Sequence, residues 1–254
     1  MIVTTSYRVT PQFEQEARAF AAAWGWPYEQ RKKYSLPQIR ARFGTEELIV
    51  LSASGARWVG VDEAFTYHPS LSVVRIKRLL RGEGDVFYDI VGLRAGDSWL
   101  DATCGFAADA ITAAHIVGRS GTVVGLESEK RIAAVVAYGL THYPTAVPEV
   151  AEAMQRVRIR AVDHLSYLRK CPNNAYDFVY FDPMFRRGVT QSAHMNPLRH
   201  LADDRPLSEE AVREARRVAR RAVILKETVA SGEFTRLGFE LLTKKTDGVC
   251  YGII

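Results

Sequence analysis

The sequence predicts an α/β fold, a mostly parallel sheet with helices on both faces, preceded by a small α+β extension. Three observations carry this. From Gly96 onward, short apolar runs of strand character alternate with stretches of helical period. Acidic and small residues collect where those runs end, which is where open parallel sheets bind ligands. Before residue 95 the elements are short and mixed, without that alternation. The chain is therefore divided into an extension, residues 1–95, which has the place of a substrate-binding or lid region, and a ligand-binding domain, residues 96–254.

The extension opens with a strand, Ile2 to Tyr7. Phe13, Ala17, Phe20 and Trp24 then recur at helical spacing from Pro11 to Trp24. Leu48 to Ser52 and Arg57 to Val61 read as strands of a hairpin across Ala53-Ser54-Gly55. Pro69 to Arg81 reads as an amphipathic helix, with Val73, Ile76, Leu79 and Leu80 on one side and Arg75, Lys77, Arg78 and Arg81 on the other. In the second region the strands are Trp99-Leu100, Thr122 to Leu126, Val157 to Val162, Phe178 to Phe181 and Ala222 to Leu225. Helices are expected at Ala107 to Val117, at Glu129 to Thr141, from His164, and at Ser208 to Arg220 with Ser208 as N-cap. Phe239 to Thr243 and Val249 to Ile253 close the chain as strands.

Composition sets limits. The 254 residues are 47% hydrophobic and 25% charged, which is ordinary for a folded domain and excludes a disordered or low-complexity chain. The formal net charge of +5 permits a nucleic-acid partner without demanding one. Cys104, Cys171 and Cys250 have no metal-ligand spacing, and their odd, sparse count argues against a disulfide framework. The N-terminus has no basic region followed by a long apolar run, and no stretch approaches the roughly 20 apolar residues that cross a bilayer. A cytoplasmic protein with no membrane partner and no metal is expected. The sequence is compatible with a homodimer.

The first strand of the domain runs into Asp101-Ala102-Thr103-Cys104-Gly105-Phe106-Ala107-Ala108-Asp109. Thr103, Gly105 and Ala107 occupy the alternate positions at which a dinucleotide or S-adenosylmethionine loop usually has glycine, so that a ligand can approach the backbone. With one glycine, a plain strand-to-helix turn also accounts for the loop. Glu127 ends the next strand, 22 residues after Gly105 and just before Ser128. A carboxylate there can accept from both ribose hydroxyls of a nucleoside. The following strand ends at Asp163-His164, where a polar side chain can meet the adenine amino group or can cap the next helix.

The fourth strand ends in Tyr180-Phe181-Asp182-Pro183-Met184-Phe185. Asp182-Pro183-Met184-Phe185 resembles the Asp/Asn-Pro-Pro-aromatic motif of methyltransferases that act on amino nitrogens. With Asp101-Ala102-Thr103 and Gly105 it resembles more closely the bacterial small-subunit ribosomal RNA guanine-N2 methyltransferase family, over roughly residues 96 to 230. That resemblance implies a Rossmann-like class I methyltransferase sheet of seven strands, S-adenosylmethionine as cofactor, and ribosomal RNA or the small ribosomal subunit as partner. It implies a cofactor site of Asp101, Thr103, Gly105, Ala108, Asp109, Glu127, Ser128, Asp163 and His164. Asp182 and the Pro183 carbonyl would accept the two N–H bonds of a poorly nucleophilic amine and turn its lone pair toward the methyl group. Phe185 would stack on the base. Met184 replaces the commoner second proline, and Ala107 the usual glycine.

Arg186 and Arg187 follow the motif and can meet substrate phosphates. The basic helix face and Arg31-Lys32-Lys33 can add a track for RNA or be simply solvated. His68, before that helix, suits a lid or a structural role. Lys226, at the end of the fifth strand, can pair with Asp182, contact substrate or form an ordinary ion pair. The polar stretch from Gly188 to Pro206 is long enough to close over the site. Three other functions fit parts of the pattern. They are an NAD-dependent oxidoreductase on the same topology, a protein carboxyl methyltransferase, suggested by Gly92 to Asp97 and Gly118 to Gly125, and a non-catalytic RNA-binding protein.

Overall fold

The computed structural model describes residues 1–183, 201, 205–242 and 248–254. Contacts divide the chain into two compact units, residues 1–68 with 134–144, and residues 69–133 with 145–254. The division thus falls at 68/69 rather than near residue 95. The reason is local: the segment after Pro69 packs on the larger sheet's own helices and strands, as described below.

In the first unit, β1 (Ile2–Thr5), α1 (Pro11–Ala23), α2 (Leu36–Phe43), β2 (Leu48–Ser52), β3 (Gly55–Val59) and β4 (Ala64–Thr66) form a four-stranded sheet of order β1-β2-β3-β4 with two helices. β1 pairs parallel with β2, and the two helices make the crossover that parallel pairing requires. β2 and β3 pair from Ser52 opposite Gly55, so the turn needs only Ala53-Ser54 and β3 starts two residues before the expected strand. α1 is capped by Thr10, whose hydroxyl accepts from the Phe13 N–H. α2 went unanticipated, although Ser35 and Gln38 form a reciprocal capping box and Gly44 ends the helix in the left-handed conformation. Within this unit Gly139 admits the Tyr67 ring, which a Cβ would meet at 2.2 Å.

The second unit holds α3 (Leu71–Leu80), α4 (Val86–Asp89), β5 (Ser98–Asp101), α5 (Ala108–Val117), β6 (Thr122–Glu127), the start of α6 (Lys130–His142), α7 (Pro148–Arg156), β7 (Val157–Ala161), α8 (His164–Leu168), β8 (Tyr176–Phe181), α9 (Glu209–Val218), β9 (Ala219–Thr228), α10 (Glu233–Leu237), β10 (Glu240–Leu241) and β11 (Val249–Ile253). The sheet order is β10-β11-β9-β8-β5-β6-β7. β9, β8, β5, β6 and β7 are parallel, and β11 and β10 add antiparallel strands at one edge. The expected strands are found, β7 ending one residue early at Ala161 and the Phe239 to Thr243 strand reduced to Glu240–Leu241, with Thr243 outside the described residues. β9 is longer than expected because its outer residues also pair, Ala219 opposite Tyr176 and Thr228 opposite Val249. Ser208 caps α9, accepting from the Ala211 N–H. α7 has no counterpart among the expected helices.

Strand alternation sends successive side chains to opposite faces. Leu100, Val124, Leu126, Val179, Phe181 and Leu225 pack with Leu168, Val212 and Ala215, which places α8 and α9 on one face. Trp99, Phe178 and Tyr180 point the other way; Phe178 packs on Trp99, and the ring centroid of Phe87 of α4 lies 4.7 Å from Trp99 and 5.4 Å from Tyr180. α3 and α7 pack on α5. These contacts bind residues 69–95 to the sheet. Among the described residues no helix is long and apolar enough to cross a membrane.

Candidate active site

The carboxyl ends of β5, β6, β8 and β9 bring most of the anticipated residues together. Asp101 ends β5 almost fully buried, and its carboxylate accepts from the Thr103 N–H at 3.3 Å. Burial, reinforced by Asp109, pushes its pKa well above the usual carboxylate range. The loop then lies down on β6, with the Cys104 N–H donating to the Leu126 carbonyl at 2.8 Å. Gly125 makes this possible, since a Cβ there would sit 2.4 Å from Cys104 Sγ. Ala107 opens α5 at φ 62°, a left-handed conformation that costs a non-glycine residue about 1–2 kcal/mol. The alanine thus takes the conformation glycine usually supplies, with its side chain wholly buried. Gly105 has φ 48°, and an added Cβ would meet nothing within 4 Å, so the loop is open at that point.

Glu127 ends β6 and reaches back to this loop. Its Oε2 accepts from the Gly105 N–H at 3.2 Å and its Oε1 from the Glu129 N–H at 2.8 Å. Ser128 is exposed in the turn that follows, and Ala108 is the first residue of α5. Of the two roles open to Asp163, its side chain performs the capping one, accepting from the Ser166 N–H of α8 at 2.8 Å. His164 packs edge-on to Phe181, with centroids 5.8 Å apart.

Asp182 follows β8. Its N–H donates to Thr103 Oγ1 at 2.6 Å, which ties this strand end to the β5 loop. Because Leu225 of β9 pairs with Phe181 of β8, Lys226 falls beside Asp182, and its ammonium donates to Asp182 Oδ2 at 2.6 Å. The same ammonium donates to Asp109 Oδ2 at 3.0 Å. Tyr180, two residues before Asp182 and so on the same face, donates its hydroxyl to Asp109 at 2.9 Å. Arg75 of α3 also bonds Asp109, and it grips Asp85 through two bonds of 2.7 Å. Burial opposes ionisation of Asp109, but Lys226 and Arg75 outweigh it and hold that carboxyl well below its usual range. Asp182 has the opposite balance. Burial pushes its carboxyl up to about 6, against the pull of Lys226 and with the added repulsion of Asp109. Burial works against the Lys226 charge too, yet the two aspartates raise its pKa above the ordinary lysine value.

The structure corrects the reading of helix 69–81. Arg75 does not share the outer face with Lys77, Arg78 and Arg81; it is largely buried on the side of Ser72 and Ile76. Helical spacing predicts this, because positions 72, 75, 76 and 79 share one face. Leu80, expected on the inner side, is half exposed. Asp109, grouped with the cofactor residues from the sequence, is bonded to Arg75, Tyr180 and Lys226, and through Lys226 it is linked to Asp182. Tyr180 was not anticipated, although a hydroxyl in an otherwise apolar strand end was its signal. His68 is exposed in the first unit, edge-on to Tyr143. Met184, Phe185, Arg186 and Arg187 lie outside the described residues, as does most of the 188–206 stretch. Among the described residues no group of three or more His, Cys, Asp or Glu side chains is placed to hold a metal ion.

Residues 65–236 match the family described as "Putative SAM-dependent methyltransferase", where SAM is S-adenosylmethionine. The chain belongs to this methyltransferase family. It is 34% identical over 253 residues to YpiP of Bacillus subtilis (strain 168), a protein described as uncharacterized, covering 100% of this chain and 98% of that one. Its fold is similar to that of a SAM-dependent methyltransferase from Neisseria gonorrhoeae, with a TM-score of 0.64 at 16% identity, over 100% of this chain and 95% of that one. Family membership sets aside the nicotinamide oxidoreductase and the non-catalytic binding protein. The methyltransferase's cofactor is S-adenosylmethionine, and the strand ends fit it. The loop is open where Gly105 lacks a side chain. Glu127 stands beside that opening, its two carboxylate oxygens accepting from the Gly105 and Glu129 N–H groups.

Proposed function

We propose that this methyltransferase acts in the cytoplasm on RNA, transferring a methyl group to an exocyclic amino nitrogen of a nucleobase. The observation that carries the reading is the Asp182 carboxylate at the carboxyl end of β8, tethered to the cofactor loop through Thr103 and braced by Lys226. S-adenosylmethionine, when bound, supplies an electrophilic methyl group on a positively charged sulfur. Glu127 holds the nucleoside part through its ribose hydroxyls, and the loop from Asp101 to Ala107 keeps its backbone close to the ligand. Asp182 accepts one N–H of the substrate amine and the Pro183 carbonyl the other, which directs the nitrogen lone pair toward the methyl carbon. As the nitrogen gains the methyl group it sheds a proton. Asp182, with its pKa pushed up to about 6, is a stronger proton acceptor than an ordinary carboxylate and is still ionised near neutral pH.

Lys226 is a positioning residue in this scheme: it fixes one Asp182 oxygen and leaves the other for the amine. Asp109 and Arg75 position Lys226 in turn. Phe185 is assigned the stacking role, and Met184, Arg186 and Arg187 the substrate side. A protein carboxyl methyltransferase has no use for such an acceptor of N–H bonds, so that alternative ranks below. The test is mass spectrometry of nucleosides from total RNA of cells with and without the protein. Loss of one base-methylated nucleoside, restored by the wild-type chain and not by Asp182→Ala, is the expected result. An unchanged nucleoside profile would sink the RNA substrate.

A further inference from the structure

From Gln30 to Thr45 the first unit has five cationic residues and no acidic one. One of them, Arg40, turns inward and donates to the Val59 and Gly60 carbonyls. Of the other four, Arg31 and Arg42 lie against aromatic rings, and Lys32, Lys33 and Arg42 are exposed. The Arg31 guanidinium lies 4.0 Å from the centroid of the Tyr7 ring. It also donates to the Tyr34 and Thr5 carbonyls, so it is held where it stands. Tyr7 donates its hydroxyl to the same Tyr34 carbonyl at 3.0 Å. Arg42 lies 5.4 Å from both the Tyr34 and the Phe43 rings. The result is a row in which rings and guanidinium groups alternate, flanked by the exposed Lys32 and Lys33.

Two properties of this row matter together. Arg31, Lys32, Lys33 and Arg42 form no ion pair with any carboxylate among the described residues, so their charge is uncompensated within one short segment. The outer rings are also exposed, Tyr7 at 50% and Phe43 at 40%. Exposed rings stack on bases that are not already paired, and uncompensated cations bind phosphates. A duplex hides its base faces and would leave the rings idle. We infer that Tyr7, Arg31, Lys32, Lys33, Arg42 and Phe43 form a docking surface for single-stranded RNA. This rests on the RNA substrate proposed above and adds which unit grips it.

The experiment is fluorescence anisotropy of a labelled single-stranded RNA of about 15 nucleotides, with wild-type chain, at about 50 to 200 mM salt. Four phosphate contacts predict a slope of log K against log salt of about −3. The exposed-residue variant Lys32→Glu/Lys33→Glu/Arg42→Glu should lose at least tenfold in affinity and most of that slope. Tyr7→Ala and Phe43→Ala should each lose roughly fivefold to a hundredfold with the slope kept, because stacking is not a counterion effect. Thermal unfolding checks that each variant is folded, and the charge variant carries the test if a ring variant is not. Undiminished binding by the charge variant would overturn the surface while leaving RNA as substrate. No binding by the wild-type chain, together with an unchanged nucleoside profile, would overturn both. Equal binding to phosphatidylglycerol vesicles, lost with the same substitutions, would assign the row to a membrane surface instead.

Discussion

Two carboxylates stand at the ends of the strands that flank β5, and backbone takes a different share in positioning each. Glu127 accepts from the backbone N–H groups of Gly105 and Glu129, one on each oxygen. Asp182 has its own N–H fixed by Thr103, but its carboxylate depends on Lys226, which it shares with Asp109, which in turn is bonded to Tyr180 and Arg75. A group held by backbone tolerates changes in neighbouring side chains as long as the loop keeps its path. A group held by side-chain charges shifts in position and in pKa when any one of them is removed. The first arrangement suits a group that binds the same ligand in every cycle, the second a group whose proton affinity must be set.

The largest expected effect tests the side-chain-held half. Asp182→Ala should lower kcat by about 10²- to 10⁴-fold, the range for loss of a proton-accepting group. The dissociation constant for S-adenosylmethionine, read by calorimetry, should hardly move. A parallel loss of cofactor affinity would mean that the two halves are not separable. Lys226→Met comes next. It leaves Asp109 and Asp182 facing each other in a buried place, which should cost about 3–5 kcal/mol of stability in denaturant titration. It should also move the acid limb of the pH–kcat profile. If Asp182 accepts the proton as proposed, wild-type activity should rise as it ionises, with a limb near pH 6. Lys226 favours the ionised form, so its loss must move that limb to higher pH; a limb that stays in place would show that Asp182 is not the group titrating.

The backbone-held half should respond less. Glu127→Ala should weaken S-adenosylmethionine binding about 10- to 100-fold, as expected for lost hydrogen bonds to a charged group, and leave the acid limb where it is. The smallest effect is expected of Gly125→Ala. Its methyl group would meet Cys104 Sγ at 2.4 Å and must push the β5 loop away. Overpacking of this kind costs about 1–3 kcal/mol. Cofactor affinity should fall with it while kcat at saturation stays close to wild type. A fall in kcat instead would show that the loop reaches Asp182 more strongly than it reaches the ligand.

Much of this was open to inspection before the structure. The alternation of period-two and helical segments after Gly96 reports a parallel sheet because burial on both faces leaves a continuous apolar run in each strand. Position at a strand end was enough to single out Asp101, Glu127 and Asp182. Short elements escaped. α2 and α7, of eight and nine residues, carry too few turns for a clear period, although a capping box marked the first. Ala107 looked like a departure from a glycine rule, and only the backbone shows that it adopts the left-handed conformation itself. Asp163 can cap a helix or meet an adenine amino group by its sequence position, and the Ser166 N–H at 2.8 Å shows the cap in place.

The sequence by itself determined the sheet, the strand ends that make up the candidate site and the acidic residues placed there, because each of these depends on local period and order. Tertiary structure alone decided the charge partners. Arg75 and Asp109 are 34 positions apart, Asp109 and Lys226 117, and Asp182 and Lys226 44. No local pattern encodes such pairings. They follow from the register of β8 on β9 and the packing of α3 on α5, and ionisation at Asp182 depends on which charges that packing brings within reach.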